Sequence, residues 1–155
     1  MRTGFGYDSH RFAEGRDFIL GGVRIPYEKG LAGHSDADAL IHALIDAILG
    51  ALCAGDIGTH FPDTDGRYKN ISSLVLLDHT VRMAKEKGFA VESMDSTIIA
   101  QAPKLAPYIG PMRQVLSEAL NTEFVSIKAK TNEGMGFIGR GEGIAAFAVC
   151  VLKPA

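Results

Sequence analysis

The segment from Ser35 to Ala54 reads SDADALIHALIDAILGALCA and predicts a helix that is buried on nearly every side. Apolar side chains point in almost every direction around it, with alanine and glycine between them. Three polar residues, Asp38, His42 and Asp46, follow one another at intervals of four and form one narrow stripe. Such a stripe needs partners, because unpaired polar groups in a protein interior are costly. A bound cation would supply one.

The N-terminal motif Asp8-Ser9-His10 offers two further candidate ligands. Alternate side chains of a strand point to the same face, so the Asp8 carboxylate and the His10 imidazole would lie side by side. With His42 they make two imidazoles and one carboxylate, a set that zinc accepts with a fourth position left for water or a substrate oxygen. The same set also suits manganese, cobalt or iron. An open position of this kind is typical of a catalytic metal.

Each part of this site also has an ordinary structural interpretation. Taken alone, Asp-x-His on a strand is usually a surface pair, and a single histidine on a helix is usually a hydrogen-bonded core residue. The metal interpretation is favoured because further titratable groups gather at both ends of the same helix, with His34 and Ser35 before it and Asp56 after it.

Composition and charge narrow the functional classes. The chain has 155 residues, 46% of them hydrophobic, and a formal charge of −2, so we expect one domain over residues 1–155 with a proper core. No run of lysine and arginine occurs, which argues against binding to nucleic acid or an anionic membrane. Cys53 and Cys150 lie in apolar runs and are expected to be core thiols. With no signal sequence or membrane span in the pattern, we expect a cytoplasmic protein.

The predicted elements follow the order β-β-α-α-β-α-β-β, which favours an α+β fold of two layers, a mixed sheet of four to five strands with helices on one face. The first two strands are expected to form a hairpin. The first helix is expected to begin with Ser35 as its N-cap and Asp38 at its third position. The predicted strands cover 2–12, 18–25, 89–100, 125–129 and 144–152, and the predicted helices cover 35–54, 71–87 and a segment that begins at 103–107.

Two long connections are candidates for ligand contact. Residues 55–70 contain too many breakers for a regular element, and a loop of this length in a small domain is usually functional or disordered. Residues 131–143 hold glycines that let backbone amides approach an anion, although a plain glycine-rich hairpin is the simpler explanation. Near them, Lys104, Lys130 and Arg140 can meet phosphates, and Glu133 can offer oxygen to a second, harder cation such as magnesium.

Seven segments carry a resemblance to a known family, in order and along nearly the whole chain. They are GYDSH (6–10), IPYEKGL (25–31), HSD (34–36) leading into the helix of His42, GDIG (55–58), FPDTD (61–65), IIAQAPK (98–104) and FIGRGEGI (137–144). In this combination the sequence resembles the 2-C-methyl-D-erythritol 2,4-cyclodiphosphate synthases of the non-mevalonate isoprenoid pathway, also called the MEP pathway.

The resemblance implies a metal-dependent lyase of terpenoid precursor biosynthesis. Its substrate, 4-diphosphocytidyl-2-C-methyl-D-erythritol 2-phosphate, would cyclise to 2-C-methyl-D-erythritol 2,4-cyclodiphosphate and release cytidine monophosphate. The substrate's own 2-phosphate is the nucleophile, so the enzyme's task is positioning and charge neutralisation. The resemblance puts zinc on Asp8, His10 and His42, and magnesium or manganese near Glu133.

The resemblance also assigns roles around the substrate. His34 and Thr131 would act catalytically by holding the phosphates in the transition state, and residues 100–106 would form a cytidine pocket that reads the base largely with backbone groups. The implied substrate-binding residues are Asp8, His10, His34, Ser35, Asp56, Ile57, Gly58, Phe61, Pro62, Asp63, Thr64, Asp65, Ala100, Gln101, Ala102, Pro103, Lys104, Leu105, Ala106, Lys130, Thr131, Asn132, Glu133, Phe137 and Arg140.

Members of this family are homotrimers whose active sites lie between neighbouring subunits, so the resemblance implies that a monomer is inactive. It also implies an apolar cavity on the threefold axis that can hold an isoprenoid diphosphate, with Arg140 near its phosphates.

Two other functions remain open at this level. A zinc hydrolase would use the open metal position to activate water, with His34, Asp56 or Asp38 as a candidate base. A non-catalytic trimer that binds nucleotides or isoprenoid diphosphates would use zinc only for structure. Structural zinc is normally closed by four protein ligands, which argues against the second alternative.

Overall fold

The structure is a computed structural model that describes residues 1–155. The strands are β1 (Arg2–Ala13), β2 (Phe18–Leu20), β3 (Val23–Ile25), β4 (Gly30–Leu31), β5 (Phe89–Ile99), β6 (Val125–Lys130) and β7 (Gly143–Pro154). The helices are α1 (Ala39–Ala51), α2 (Ile57–His60), α3 (Ser73–Glu86), α4 (Ile109–Leu120) and α5 (Gly136–Gly139), with 3₁₀ turns at Gly66–Tyr68 and Ala106–Tyr108. No helix has the length and apolar character needed to cross a bilayer.

The main sheet contains five strands in the order β4-β1-β7-β5-β6. Neighbouring strands are antiparallel except β5 and β6, which run parallel. The prediction of an α+β fold with a mixed sheet of four to five strands is therefore confirmed. Strand β1 lies beside β7, the last strand of the chain, with Asp8 opposite Ala146 and His10 opposite Ile144.

Helices cover one face of this sheet and leave the other face open. On β1 the glycines at 4 and 6 are buried under α1, whereas the intervening Phe5 and the following Tyr7 are 61% and 46% exposed. On β7 the pattern repeats, because Ala148 and Cys150 are buried while Val149 between them is exposed. This alternation follows from the period of two in a strand, and it directs Asp8 and His10 to the helix side.

Helix α1 forms the centre of the hydrophobic core. Most of its side chains have no solvent exposure, and it packs on both β1 and β7. Helix α3 packs against α1 and β5, and α4 packs against β6. The expected helix that is apolar nearly all round is thus present, and His42 lies in it.

The predicted hairpin between the first two strands does not form. Strand β1 pairs with β4 and β7, and the segment predicted as one strand over 18–25 is instead two strands, β2 and β3, that pair with each other. The turn between them is made by Gly21 and Gly22, whose φ angles of +56° and +73° do not belong to a continuous strand.

Two helices begin later than predicted. Helix α1 begins at Ala39 with Asp38 as its N-cap, because Ala37 has a φ of 59° and breaks any helix that starts at Ser35. Helix α4 begins at Ile109 after the 3₁₀ turn. A helix starting at 103 would require an N–H from Pro107, which that residue lacks. The expected loop over 55–70 also contains helix α2 and a 3₁₀ turn.

Candidate metal centre and active site

Strand β1 and helix α1 bring the three predicted zinc ligands together. One carboxylate oxygen of Asp8, Oδ2, lies 2.8 Å from Nε2 of His10 and 3.0 Å from Nδ1 of His42. The two ring nitrogens are 3.2 Å apart. Three atoms with lone pairs therefore converge on one point, and the group could hold a divalent cation.

The donor set and its spacing fit a tetrahedral cation. Zinc bonds of 2.0–2.1 Å place tetrahedral ligand atoms about 3.3 Å apart, close to the separations of 2.8–3.2 Å found here. The outer nitrogens of both rings have other partners. Nδ1 of His10 donates to the carbonyl oxygen of Ala32 at 2.7 Å, and Nε2 of His42 lies 2.8 Å from the hydroxyl of Ser73. Such partners orient a ligating imidazole.

The contacts within the cluster shift the pKa values of Asp8 and His10. Burial raises the pKa of Asp8, but hydrogen bonds from His10 and His42 outweigh that effect and bring the pKa down to about 2. For His10, burial lowers the pKa, and the contact with the Asp8 carboxylate more than compensates, so its pKa lies above the ordinary value. A cation needs an ionised carboxylate and neutral imidazoles, so its binding would displace the protons through which the two rings contact Asp8.

An open cleft of about 410 Å³ adjoins the cluster. It is bordered by two of the predicted zinc ligands and by many of the residues that the resemblance assigned to the substrate. Its lining consists of His10, Gly33, His34, Ser35, His42, Ile57, Gly58, Phe61, Pro62, Asp63, Tyr68 and Leu76. Predicted residues from β1, α1, the loop before α1 and the 57–63 segment thus border a single space large enough for part of a small ligand, whereas Asp8, Asp56, Thr64 and Asp65 do not line it.

The other two members of the polar stripe on α1 are satisfied by the protein itself. Asp38 is fully buried and accepts backbone N–H groups of Gly21, Gly22 and Ile41. Asp46 accepts the N–H of Ile57 at 2.7 Å, which ties the start of α2 to α1. The inference that a cation satisfies the stripe is therefore wrong for Asp38 and Asp46, and it stays a prediction for His42. A candidate base role for Asp38 is also excluded, because it has no contact with solvent.

The 55–70 segment is ordered by its own acidic residues. Asp56 caps α2 by accepting the N–H and hydroxyl of Thr59, and these hydrogen bonds lower its pKa. Asp65 caps the following 3₁₀ turn and pairs with Arg67, which lowers the pKa of Asp65. His34 donates from Nε2 to the carbonyl oxygen of Asp65 at 3.0 Å, so the loop before α1 is tied to this segment.

A second group of predicted substrate residues gathers where β5 and β6 end. The N–H of Ala100 donates to the carbonyl oxygen of Lys130, and the N–H of Gly134 donates to the side chain of Gln101. Thr131 donates to the carboxylate of Glu133 at 3.3 Å. The peptide bond between Ala102 and Pro103 is cis. These contacts join the predicted cytidine segment to the 130–134 segment.

The structure keeps this second group out of the cleft beside the metal cluster. His10 on β1 and Ile99 on β5 lie opposite adjacent β7 residues, Ile144 and Ala145. The two groups are therefore at the same end of the sheet, two strand spacings or about 10 Å apart. None of residues 100–106 or 130–140 lines the cleft. Within this group the Leu105 side chain is in the core, and Arg140 pairs with Glu142.

Sequence reasoning missed several residues that the structure brings to the site. Gly33, Tyr68 and Leu76 line the cleft, and Ser73 contacts His42 although 31 residues separate them. Arg16 donates to the carbonyl oxygens of Gly33 and Ser35. The position of Ser73 at the start of a helix resembles ordinary capping, so the sequence contained no signal that it contacts a predicted metal ligand.

Comparison with known proteins identifies the family. A model described as the YgbB family matches residues 1–153. The chain belongs to the YgbB family. It is 62% identical over 155 residues to the 2-C-methyl-D-erythritol 2,4-cyclodiphosphate synthase of Brachyspira hyodysenteriae, a match that covers 99% of this chain and 98% of the relative. It is 60% identical over 151 residues to the synthase of Alkaliphilus metalliredigens, covering 96% and 95%.

Solved structures of similar proteins have the same fold. A 2C-methyl-D-erythritol-2,4-cyclodiphosphate synthase superposes with a TM-score of 0.91 at 37% identity, over 98% of this YgbB-family chain and 100% of that chain. The Plasmodium falciparum IspF, solved in complex with CDP, superposes with a TM-score of 0.86 at 34% identity, over 99% and 96%. The resemblance found in the sequence motifs is confirmed.

Proposed function

We propose that this YgbB-family chain is a phosphorus–oxygen lyase that converts 4-diphosphocytidyl-2-C-methyl-D-erythritol 2-phosphate to 2-C-methyl-D-erythritol 2,4-cyclodiphosphate and CMP, as a step of isoprenoid biosynthesis. The observation that carries the proposal is the convergence of Asp8, His10 and His42 beside an open cleft. Near-complete alignment with synthases at about 60% identity supports the same reaction, and a relative with bound CDP supports a nucleotide ligand.

The proposed reaction is internal to the substrate. An oxygen of the 2-phosphate bonds to the β-phosphorus, the bond from that phosphorus to the bridging oxygen breaks, and CMP leaves with the bridging oxygen. No water is consumed and no protein atom becomes covalently attached. Ser73, whose hydroxyl contacts His42, has no solvent exposure and therefore cannot serve as a nucleophile. The protein's contribution is positioning and charge stabilisation.

Residues around the cleft have distinct proposed tasks. Asp8, His10 and His42 would hold zinc, which when bound supplies positive charge to a phosphate oxygen. His34 donates from Nε2 to the carbonyl oxygen of Asp65, so its Nδ1 would donate to a phosphate as part of an imidazolium ion. The Ser35 hydroxyl, which lies 3.1 Å from Nε2 of His42, borders the cleft and would contact phosphate as well.

The second group of residues would bind the nucleotide end of the substrate. Residues 100–106 would read cytosine, and Glu133, which is exposed beside Thr131, would hold magnesium or manganese at the diphosphate. Because the two groups do not share a cleft within one chain, we propose that each active site combines the metal group of one subunit with the nucleotide group of its neighbour.

The open face of the sheet supports self-association as a homotrimer. Phe147 lies between Phe5 and Tyr7 with ring centroids 6.1 and 5.0 Å away, and Val149 extends this apolar surface. An exposed aromatic surface on a water-soluble chain marks an interaction site. We also propose that the trimer encloses a cavity on its threefold axis, which holds an isoprenoid diphosphate with its phosphates near Arg140.

The Tyr7→Glu variant tests the trimer, because it places a charge in the apolar surface. It should be a monomer by light scattering and should show no turnover. A Tyr7→Glu trimer with full activity would contradict this arrangement.

The decisive experiment is product analysis by phosphorus NMR with chelated and metal-restored protein. Metal-dependent formation of a cyclic diphosphate and CMP supports the synthase. A linear product that has gained water supports the zinc hydrolase, and unchanged substrate supports the non-catalytic binding protein. His42→Ala should lose zinc and turnover but remain folded. His79→Ala, which alters a histidine outside the cluster on α3, should keep one zinc per chain. Normal zinc content in His42→Ala would refute the site.

A further inference from the structure

A chain of hydrogen bonds leads from His42 away from the metal cluster. Nε2 of His42 lies 2.8 Å from the hydroxyl oxygen of Ser73, and that hydroxyl donates to a carboxylate oxygen of Asp36. His42 is on α1, Ser73 is the first residue of α3, and Asp36 is in the loop before α1. Three separate segments therefore meet behind one proposed metal ligand.

The direction of these hydrogen bonds follows from the chemistry of the groups. A carboxylate can only accept, so the single hydrogen of the Ser73 hydroxyl is given to Asp36. The hydroxyl oxygen must then accept at its other contact, which requires a proton on Nε2 of His42. In neutral imidazole the other nitrogen, Nδ1, then carries the lone pair. Nδ1 is the atom that faces Asp8 and His10.

The Ser35 hydroxyl cannot fix the ring in the same way. Its oxygen lies 3.1 Å from Nε2 of His42 and accepts a weak bond from the N–H of Ala37 at 3.3 Å. No carboxylate accepts its hydrogen, so this hydroxyl can rotate to donate or to accept. Only Ser73 has its direction set by a charged partner, and hydrogen bonds to charged partners are the stronger ones.

Asp36 is itself held rigidly. Its carboxylate accepts the backbone N–H of Ser73 at 2.9 Å and that of Asp38 at 3.2 Å, and its own N–H donates to the carbonyl oxygen of Ile71. The carboxylate also lies at the N-terminus of the 14-residue helix α3, where the helix dipole favours negative charge. Ser73 has no solvent exposure, so water does not compete for its hydroxyl.

We propose that Asp36 and Ser73 are positioning residues for the metal centre, which hold His42 in the one tautomer and orientation that offer Nδ1 to a divalent cation. The inference rests on the proposed metal site but not on the identity of the substrate. Partners of this kind in other metal sites change metal affinity or activity by 10- to 100-fold when removed.

Three variants and the unaltered protein test the proposal through zinc binding. Ser73→Ala removes the hydroxyl oxygen that accepts from Nε2 of His42. Asp36→Asn replaces one carboxylate oxygen by an amide NH₂ group, which cannot accept from the hydroxyl or the backbone N–H of Ser73. Both should weaken zinc binding by roughly 10- to 100-fold in competition with a chelator. Thr80→Val is the matched control, since it removes another fully buried hydroxyl from α3 that donates to Leu76. It should bind zinc as the unaltered protein does.

Further measurements separate positioning from loss of structure. Excess zinc should restore kcat in Ser73→Ala, and Ser73→Thr, which keeps a hydroxyl, should recover much of the affinity. Long-range ¹H–¹⁵N correlation NMR of the zinc-loaded, unaltered protein should show that Nδ1 of His42 binds zinc and that Nε2 carries a proton. Binding through Nε2, or equal zinc affinity in Ser73→Ala, Asp36→Asn and Thr80→Val, would overturn the proposal. Absence of zinc binding in the unaltered protein would instead refute the metal site itself.

Discussion

The backbone of Gly6 lies so close to Ala43 that a Cβ at residue 6 would be 1.8 Å from the Ala43 carbonyl oxygen. The same close approach occurs two residues earlier on β1, where a Cβ at Gly4 would be 1.8 Å from the carbonyl oxygen of Ala47. Strand β1 therefore rests directly on the backbone of α1. His42 immediately precedes Ala43, and Asp8 follows Gly6 by two residues, so this close contact sets the distance between two proposed ligands.

Changing Gly6→Ala should separate β1 from α1, because neither backbone can move without disturbing the core. We expect a loss of several kcal/mol in the free energy of unfolding, in the range of other overpacked cores, together with weaker zinc binding. Gly110→Ala is the control. Gly110 is the second residue of α4, and apart from its chain neighbours nothing lies within 4 Å of an added Cβ, so alanine there should change the free energy of unfolding by no more than about 0.5 kcal/mol. Urea unfolding and chelator competition measure both effects. Unchanged stability in Gly6→Ala would contradict the close contact.

Arg16 should be needed for full turnover but not for zinc binding. Its guanidinium donates to the carbonyl oxygens of Gly33 at 2.9 Å and Ser35 at 2.6 Å, and so fixes the loop that carries His34. We expect Arg16→Ala to lower kcat/KM by about 10- to 100-fold, as small displacements of positioning groups do, with zinc content retained. Arg16→Lys should rescue little, because one ammonium does not reproduce the planar fork.

Arg24→Ala provides the comparison for Arg16. Arg24 forms an ion pair with Asp17 and is 73% exposed, so its removal should cost less than about 1 kcal/mol and leave kcat/KM unchanged. Steady-state kinetics on the three variants, with zinc measured in the same preparations, completes the test. Equal kinetics in Arg16→Ala and Arg24→Ala would show that the loop does not need Arg16.

Asp38 should make the stability of the metal-free protein depend on pH. Burial, and then the nearby Asp36 charge, raise the pKa of Asp38 from 3.8 to about 6, against the hydrogen bonds from Gly21, Gly22 and Ile41. The folded state thus binds the proton more tightly than the unfolded state. The stability that Asp38 contributes is complete below about pH 4 and is lost as the pH rises through about 6.

Asp38→Asn removes this titration and serves as its own reference. The difference in unfolding free energy between the unaltered protein and Asp38→Asn should fall by about 2–3 kcal/mol between pH 4 and pH 7, measured by urea unfolding in the presence of a chelator. A difference that stays constant over this range would mean that the pKa of Asp38 is the same in the folded and unfolded states.

The two cysteines should differ sharply in reactivity. Cys150 is fully buried, and burial raises its pKa to about 12, whereas Cys53 is exposed after the end of α1. The expectation that both are core residues is therefore wrong for Cys53. A thiol reagent should modify about one thiol per chain in the native protein and two after unfolding. Cys53→Ser should show no rapid reaction. Rapid modification of Cys150 in the native state would contradict its burial.

Local patterns were sufficient to predict much of this fold and to select the three residues that the structure brings together as a candidate metal site. A helix that is apolar all round, strands of alternating character and the polar residues within them depend on side-chain chemistry and on periods of 3.6 and 2 residues. These features can be read within a window of a few residues. His42 stood out because a polar group in an apolar helix needs a partner, and Asp8 and His10 stood out because alternate residues of a strand share a face.

Contacts between distant parts of the chain were decided only by the tertiary structure. Nothing near β1 indicates that it pairs with β7 at the other end of the sequence, or that Gly21 and Gly22 supply the N–H groups that satisfy Asp38. The link from Ser73 to His42 likewise joins residues 31 positions apart. The sequence by itself determined which groups need partners, whereas packing of remote segments chose the partners, because hydrogen bonding and close contact depend on position in space and not on distance along the chain.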